Sequence, residues 1–236
     1  MEVGLFILLI FTASLLQTST GFGFSIVATP FLLLLFDARD AIQLNLILSL
    51  FISLTLFKNI RSDIDRGVLK RFISGSVIGL PIGMMVFSFS NIDYLKIAIG
   101  ILILLLTVLL LLKFRIGQTR GRDRIVGAIS GSLTTSIGMP GPPLLLYFSG
   151  TETEKAKLRG TTLAYYLFIY FFSLVVQIFA AGTSNKVWLY ALCALPIVLL
   201  GQLAGQYLFS RINQKMFQLF TYAILLFTGA YLLFNT

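Results

Sequence analysis

The sequence predicts an all-α integral membrane protein of two inverted-topology repeats, each a broken or re-entrant hairpin followed by three transmembrane helices. The first observation is the composition: 57% of the residues are hydrophobic and only 11% are charged. With a mean hydropathy of +0.94, this lies far outside the balance of a soluble domain. The second is that apolar segments recur along all 236 residues. The third is that two of these segments are interrupted at matching places.

The continuous apolar segments predict the spans. A membrane-spanning helix needs roughly 20 apolar residues. Six segments meet this length, at 41–57, 72–90, 93–112, 159–181, 187–209 and 215–234. Segments 4–36 and 125–149 are interrupted near the middle, and each is either a kinked spanning helix or a re-entrant hairpin. The run from Gly4 to Leu16 lacks the flanks of a signal peptide, so we expect it to be retained.

Basic residues predict the orientation. The loops 58–71 and 113–124 each carry five Lys or Arg residues, so both are expected in the cytoplasm. The turn at 37–40 is then outside. Segment 125–149 would begin and end on the cytoplasmic side, and segment 4–36 on the outer side. The net charge of +9 follows from this placement, and no nucleic acid is expected as a partner.

Two stretches of the chain match each other and indicate a duplication. Residues 79–88 align with 201–210 at a constant offset, and each contains a Gly-x-x-x-Gly pair followed by Phe and Ser. We prefer to interpret these glycines as close helix contacts rather than ligand sites. The predicted units are a first membrane repeat at 1–112, a cytoplasmic linker at 113–124 and a second membrane repeat at 125–236.

Several kinds of chemistry are excluded by what the chain lacks. It has no histidine and a single cysteine, Cys193, so imidazole metal sites, intramolecular disulfides and thiolate clusters are excluded. No acidic or basic residue lies at the middle of a predicted span, which argues against a proton relay. We therefore expect neither an enzyme nor a cofactor.

The two interruptions are the candidate site. Thr29 before Pro30 predicts a helix start, as does the pair Pro142-Pro143 in the second interruption. Helix N-termini inside the membrane would favour an anion, because their N–H groups are unpaired and carry partial positive charge. The alternative is that these small residues only allow kinked helices to pack. The candidate binding residues are Gly21, Gly23, Ser25, Thr29, Asn45, Ser136, Gly138 and Gly141.

Two basic residues begin the span after the second interruption. Lys155 and Arg159 either attract an anion at a cytoplasmic entrance or only orient the helix. Moving one negative charge out of a cell that is negative inside gains about 2.3 kcal/mol per 100 mV. Export of an anion therefore needs no proton partner.

Motifs spread along the chain give it a family resemblance. They are the Gly21-Phe22-Gly23-Phe24 run leading to Pro30, the loop from Lys58 to Asp65, the Gly79–Gly83 segment and the run from Gly131 through Pro143 to Leu145. With these motifs the chain resembles the sulfite exporter TauE/SafE family. The resemblance implies a multi-pass inner-membrane permease that exports small sulfur-containing anions such as sulfite, thiosulfate or sulfoacetate.

The mechanism expected for such a permease is alternating access by rocking of the two repeats. The expected partners are a small anionic substrate and the lipid bilayer, and homo-oligomerisation is left open. A passive anion channel and a lipid-handling or structural membrane protein are the alternatives.

Overall fold

A computed structural model describes residues 2–89 and 117–211, with isolated positions in 101–108 and 213–226. These residues form helices and no strand. The helices are α1 (Glu2–Thr20), α2 (Phe24–Leu35), α3 (Ala38–Ile60), α4 (Arg66–Phe89), α5 (Arg120–Ile137), α6 (Gly141–Gly150), α7 (Lys155–Ala181) and α8 (Asn185–Arg211). Within this part of the chain, five helices are long and apolar enough to cross a membrane: α1, α3, α4, α7 and α8.

This architecture confirms the predicted all-α membrane fold. Four of the six predicted spans correspond to α3, α4, α7 and α8, while those at 93–112 and 215–234 lie outside the described residues. The inverted orientation of the repeats and the unit boundaries stay predictions. Helix α5 begins at Arg120, inside the segment predicted as a linker, where the side chain of Thr119 accepts a hydrogen bond from the backbone N–H of Arg122.

Both predicted interruptions are confirmed as breaks between helices. Helix α1 ends at Thr20 before α2 begins at Phe24, and α5 ends at Ile137 before α6 begins at Gly141. With 12 and 10 residues, α2 and α6 are too short to cross a membrane. The prediction of a helix start at Pro142-Pro143 is confirmed, because these residues lie in the first turn of α6.

The predicted helix start at Thr29 and Pro30 is wrong. Both residues lie inside α2, which is preceded by Gly23 as its N-cap. The chain starts the helix earlier because Gly23 adopts a φ of +118°, which turns the backbone out of α1 without a Cβ clash. Pro30 is then an interior proline, and its missing N–H leaves the carbonyl of Ile26 without its helical partner.

Helices α3 and α7 form an antiparallel central pair. Near the start of α3, Gln43 Nε2 donates to the carbonyl of Gly182, just after α7, at 2.8 Å. At the opposite end, the backbone N–H of Asp65 donates to Thr161 Oγ1 at 2.9 Å. The two helices therefore run side by side through the length of the molecule.

Glycines join the remaining long helices in two parallel pairs. Gly75, Gly79 and Gly83 of α4 pack in order against Arg124, Ala128 and Ser132 of α5. Gly201 and Gly205 of α8 pack in the same order against residues 11–18 of α1. A Cβ at Gly79 would lie 2.1 Å from the carbonyl oxygen of Ala128, so the backbones touch directly. The interpretation of the Gly-x-x-x-Gly pairs as helix contacts is confirmed.

The connections gather at two ends of the helix bundle. At one end Ser184 Oγ donates to Asp40 Oδ2 at 3.2 Å. At the other, Lys157 Nζ lies 3.1 Å from Asp65 Oδ2 and Lys155 Nζ donates to the carbonyl of Phe209 at 3.3 Å. Connections that the charge pattern assigned to the same side of the membrane thus lie at the same end of the bundle. The assignment of one end to the cytoplasm stays a prediction.

Candidate functional site

Left-handed glycines close the first helix of each broken segment. Gly21 and Gly138 have φ values of +86° and +75°, a region that residues with a Cβ rarely adopt. The N–H of Gly21 donates to the carbonyl of Gln17 at 2.8 Å, and that of Gly138 to the carbonyl of Thr134 at 2.7 Å. The N–H of each glycine thus pairs with a carbonyl at the end of the helix, and its left-handed conformation turns the chain away from the helix axis.

Each break packs against the first turns of a central helix from the other half of the chain. A Cβ at Gly21 would lie 2.7 Å from Arg159 Cα on α7. A Cβ at Gly138 would lie 2.6 Å from Asn45 Nδ2 on α3. Asn45 Nδ2 also donates to the carbonyl of Gly138 at 2.8 Å. The structure therefore brings Asn45 and Gly138, both predicted from the sequence, into direct contact.

The two breaks meet in the interior. A Cβ at Gly141 would lie 3.6 Å from Phe22 Cβ and 3.4 Å from Ile26 Cδ1. It would also lie 3.1 Å from the hydroxyl of Tyr166 on α7. Because α2 begins at Phe24 and α6 begins at Gly141, the N-termini of both short helices lie at this meeting point.

The other predicted site residues are buried, and they make different kinds of contact. Ser25 Oγ lies 3.5 Å from the hydroxyl of Tyr170, which donates to it. Thr29 lies inside α2, and its buried Oγ1 has no hydrogen-bond partner among the described residues. Ser136 Oγ donates to the carbonyl of Ser132 in its own helix at 2.8 Å. Ser25 therefore contacts α7, whereas the bond made by Ser136 stays within α5.

The starts of the two short helices differ in their supply of N–H donors. In α2 the backbone bond from Val27 to the carbonyl of Gly23, 2.9 Å long, closes the first turn. The N–H groups of Phe24, Ser25 and Ile26 precede it and have no helical acceptor. The first turn of α6 contains Pro142 and Pro143, which have no N–H to offer. The first break therefore presents the larger set of donors.

Buried polar atoms without a partner lie on α1, α3 and α7, the helices that contact the two breaks. Within the described residues they include side-chain atoms of Gln17, Thr18, Asn45, Ser49, Arg159, Thr162 and Tyr166. Sequence reasoning did not select Ser49, Thr162 and Tyr166. Thr162 and Tyr166 follow Arg159 at helical spacing, so the three residues share one face of α7. That spacing is the sequence signal that could have identified Thr162 and Tyr166.

Comparison with known proteins assigns the chain to a family. No curated protein and no solved structure matches it. A family model described as "Sulfite exporter TauE/SafE" matches residues 6–232 of the 236. The match spans both breaks, four of the five long apolar helices and all of α1 except its first residues. The chain therefore belongs to the sulfite exporter TauE/SafE family, and it is a multi-pass membrane protein of a transporter family.

Proposed function

We propose that this protein exports small sulfur-containing anions, such as sulfite, thiosulfate or sulfoacetate, through the meeting point of the two breaks. The observation that carries the proposal is the contact of Gly141 with Phe22 and Ile26, where two interrupted helices touch inside a sulfite-exporter fold. Broken helices at membrane depth are tolerated where they are buried in protein or line a cavity, and transporters use them to bind ions.

The chemistry of the meeting point suits an anion. The N-terminus of α2 contributes N–H groups that have no acceptor in their own helix, together with the positive end of the helix dipole. Left-handed Gly21 and Gly23 turn the chain from α1 into α2 and let this break pack closely against Arg159 and Leu16, so that α2 starts in the interior. Asn45 and Ser25 add polar side chains on two sides, and backbone donors then replace part of the anion's hydration shell.

Alternating access at this site would separate the two breaks on one side at a time. The glycine contacts join α1 to α8 and α4 to α5, and each pair takes one helix from each half. Such close backbone packing favours movement of each pair as a unit. We therefore infer that the bodies that rock are these interleaved pairs, carried on the central α3 and α7 helices.

Anion efflux from proteoliposomes tests the proposal. Sulfite, thiosulfate and sulfoacetate are loaded in turn, and flux is measured under an imposed potential and then under a pH gradient. We expect saturable flux that follows the potential, because export of an anion requires no proton. Flux driven only by the pH gradient would contradict uniport, and absence of flux for all three anions would contradict the proposal.

Replacement of Gly141 by Leu tests the meeting point itself. The new side chain would start 3.1 Å from the Tyr166 hydroxyl and 3.4 Å from Ile26, so it would fill the space between the breaks. We expect efflux to be lost while the protein still elutes as a single peak in gel filtration. Gly4→Leu is the matched control, because nothing lies within 4 Å of a Cβ at Gly4. Normal flux in Gly141→Leu would remove the second break from the site.

Two other functions make different predictions. A passive anion channel would give high flux without saturation or counter-transport. A lipid-handling protein is favoured by one observation, an apolar groove of about 430 Å³ lined by Val3, Phe6, Ile7, Leu35, Phe36, Leu189, Tyr190, Cys193 and Ile197. Lipid binding without flux of small anions would support that function instead.

A further inference from the structure

A buried arginine lies beside the first break. Arg159 is only 6% exposed, and its Cα lies where Gly21 packs against α7. A guanidinium stays charged at neutral pH, and burying it inside a membrane protein is expensive unless its donors find acceptors. Charged groups within membrane helices commonly serve a function for this reason.

The contacts of Arg159 fix its guanidinium but leave donors unused. Nε donates to the carbonyl of Thr18, near the end of α1, at 2.6 Å. The guanidinium carbon lies 4.2 Å from the ring centroid of Phe209 on α8, a cation–π distance. Nη2 is buried and has no hydrogen-bond partner among the described residues. The side chain is therefore held by two helices while one amino group remains available.

Two unpartnered hydroxyls belong to the same neighbourhood. Thr18, whose carbonyl binds Arg159, has a fully buried Oγ1 without a partner in the described part of the chain. Thr162 lies three residues after Arg159 on the same face of α7, and its buried Oγ1 is likewise unpartnered. Thr162 thus lies one helical turn from Arg159, while Thr18 contacts Arg159 through its carbonyl and places its Cβ beside Gly205 of α8.

We propose that Arg159, together with Thr18 and Thr162, binds the transported oxyanion at the first break. This assignment rests on the proposed function, and in it the positive charge of Arg159 selects an anionic substrate. Guanidinium N–H groups and hydroxyls complement an anion with several oxygen acceptors. The backbone donors of the two breaks support the same assignment, because three N–H groups at the start of α2 have no helical acceptor, whereas the prolines of α6 have no N–H. The anion is therefore held mainly at the first break.

The experiment compares variants in the full-length protein. Sulfite binding is measured by titration calorimetry on detergent-purified protein, and sulfite efflux is measured in proteoliposomes. Loss of a charged hydrogen bond should weaken binding by about 10- to 100-fold in Arg159→Gln. We expect Arg159→Lys to lose less, because it keeps the charge but not the fork of donors. Thr162→Val removes one hydroxyl at nearly constant volume and should weaken binding severalfold.

Lys157→Gln is the matched control. It removes one positive charge from the same helix, but its side chain is 52% exposed and faces Asp65, so sulfite binding and efflux should stay at wild-type levels. If Arg159→Gln does not fold, sulfite binding by Arg159→Lys and Thr162→Val tests the assignment instead.

Two outcomes separate this inference from the proposed function. If the wild-type protein moves sulfite and the Arg159 and Thr162 variants bind and move it equally well, the assignment of Arg159 is wrong while the proposed function stands. If the wild-type protein neither binds nor moves any of the three anions, both are wrong.

Discussion

At the scale of single residues, one buried carboxylate joins three helices. Asp123 on α5 is fully buried and accepts hydrogen bonds from Arg71 Nε on α4 and from the Tyr147 hydroxyl on α6. This triad anchors the end of the second broken segment opposite its meeting point with the first. From the sequence, Asp123 belonged to a basic loop that was interpreted only as an orientation signal, because nothing local indicates that two distant donors converge on it.

Replacement of Asp123 by Asn tests this anchor. The variant leaves Arg71 without its counter-charge, and we expect the free energy of unfolding to fall by about 2 kcal/mol. The corresponding fall in unfolding temperature is roughly 4–8 °C for a chain of this size. The measurement is thermal unfolding in detergent, followed through the fluorescence of Trp188. Asp37→Asn, at an exposed position, should be close to neutral, and equal stability of the two variants would contradict the anchor.

At the scale of elements, Asp65 secures the start of α4. Its Oδ1 accepts from the N–H groups of Gly67 and Val68, each at 3.0 Å, and its Oδ2 pairs with Lys157 of α7. Burial raises the pKa of Asp65, but the Val68 N–H, the Lys157 ammonium and the Gly67 N–H together outweigh burial and hold the pKa below its ordinary value. One side chain thus caps a helix and ties it to the central pair.

The lowered pKa of Asp65 gives a pH-dependent stability of definite sign. The stabilisation is fully present above the ordinary aspartate value of 3.8 and is lost as the pH falls through the lower folded-state pKa. We expect Asp65→Asn to keep much of the helix cap but to lose this part of the pH dependence. Unfolding temperature measured between neutral and acidic pH checks it. Curves that stay parallel for the wild-type protein and the variant would show that Asp65 does not contribute.

At the scale of the whole molecule, the breaks of the two halves are adjacent and pack against each other's central helices. A Cβ at Gly141 would lie 3.6 Å from Phe22 Cβ, and the breaks also contact Arg159 and Asn45. If transport requires the breaks to separate, a covalent link between them should stop the cycle without removing any polar group.

A reversible disulfide between the breaks tests this requirement. The 3.6 Å spacing falls within the roughly 3.5–4.5 Å between Cβ atoms that a disulfide needs. In a Cys193→Ala background, Phe22→Cys combined with Gly141→Cys should lose efflux on oxidation and regain it on reduction. Thiosulfate or sulfoacetate is the substrate, because sulfite itself cleaves disulfides. Each single cysteine variant is a control, and undiminished efflux through the oxidised double variant would contradict alternating access.

Local sequence patterns correctly predicted the membrane class, four of the described long helices, both breaks and the role of the Gly-x-x-x-Gly pairs. These features depend on local chemistry: apolar length sets a span, and glycine and proline interrupt a helix wherever they cluster. The error at Thr29 and Pro30 has the same origin, since a local rule for helix starts took no account of the left-handed turn available at Gly23.

Which side chains lie close together at the candidate site depends on how the helices pack. Asn45 lies 93 positions from its partner Gly138, and Arg159 lies 141 positions from Thr18. No periodicity in the sequence reports such distances, because they depend on which helices pack together and in which direction. The packing of α3 against α7, and of each break against a helix from the other half, is what turns two separate interruptions into one candidate site.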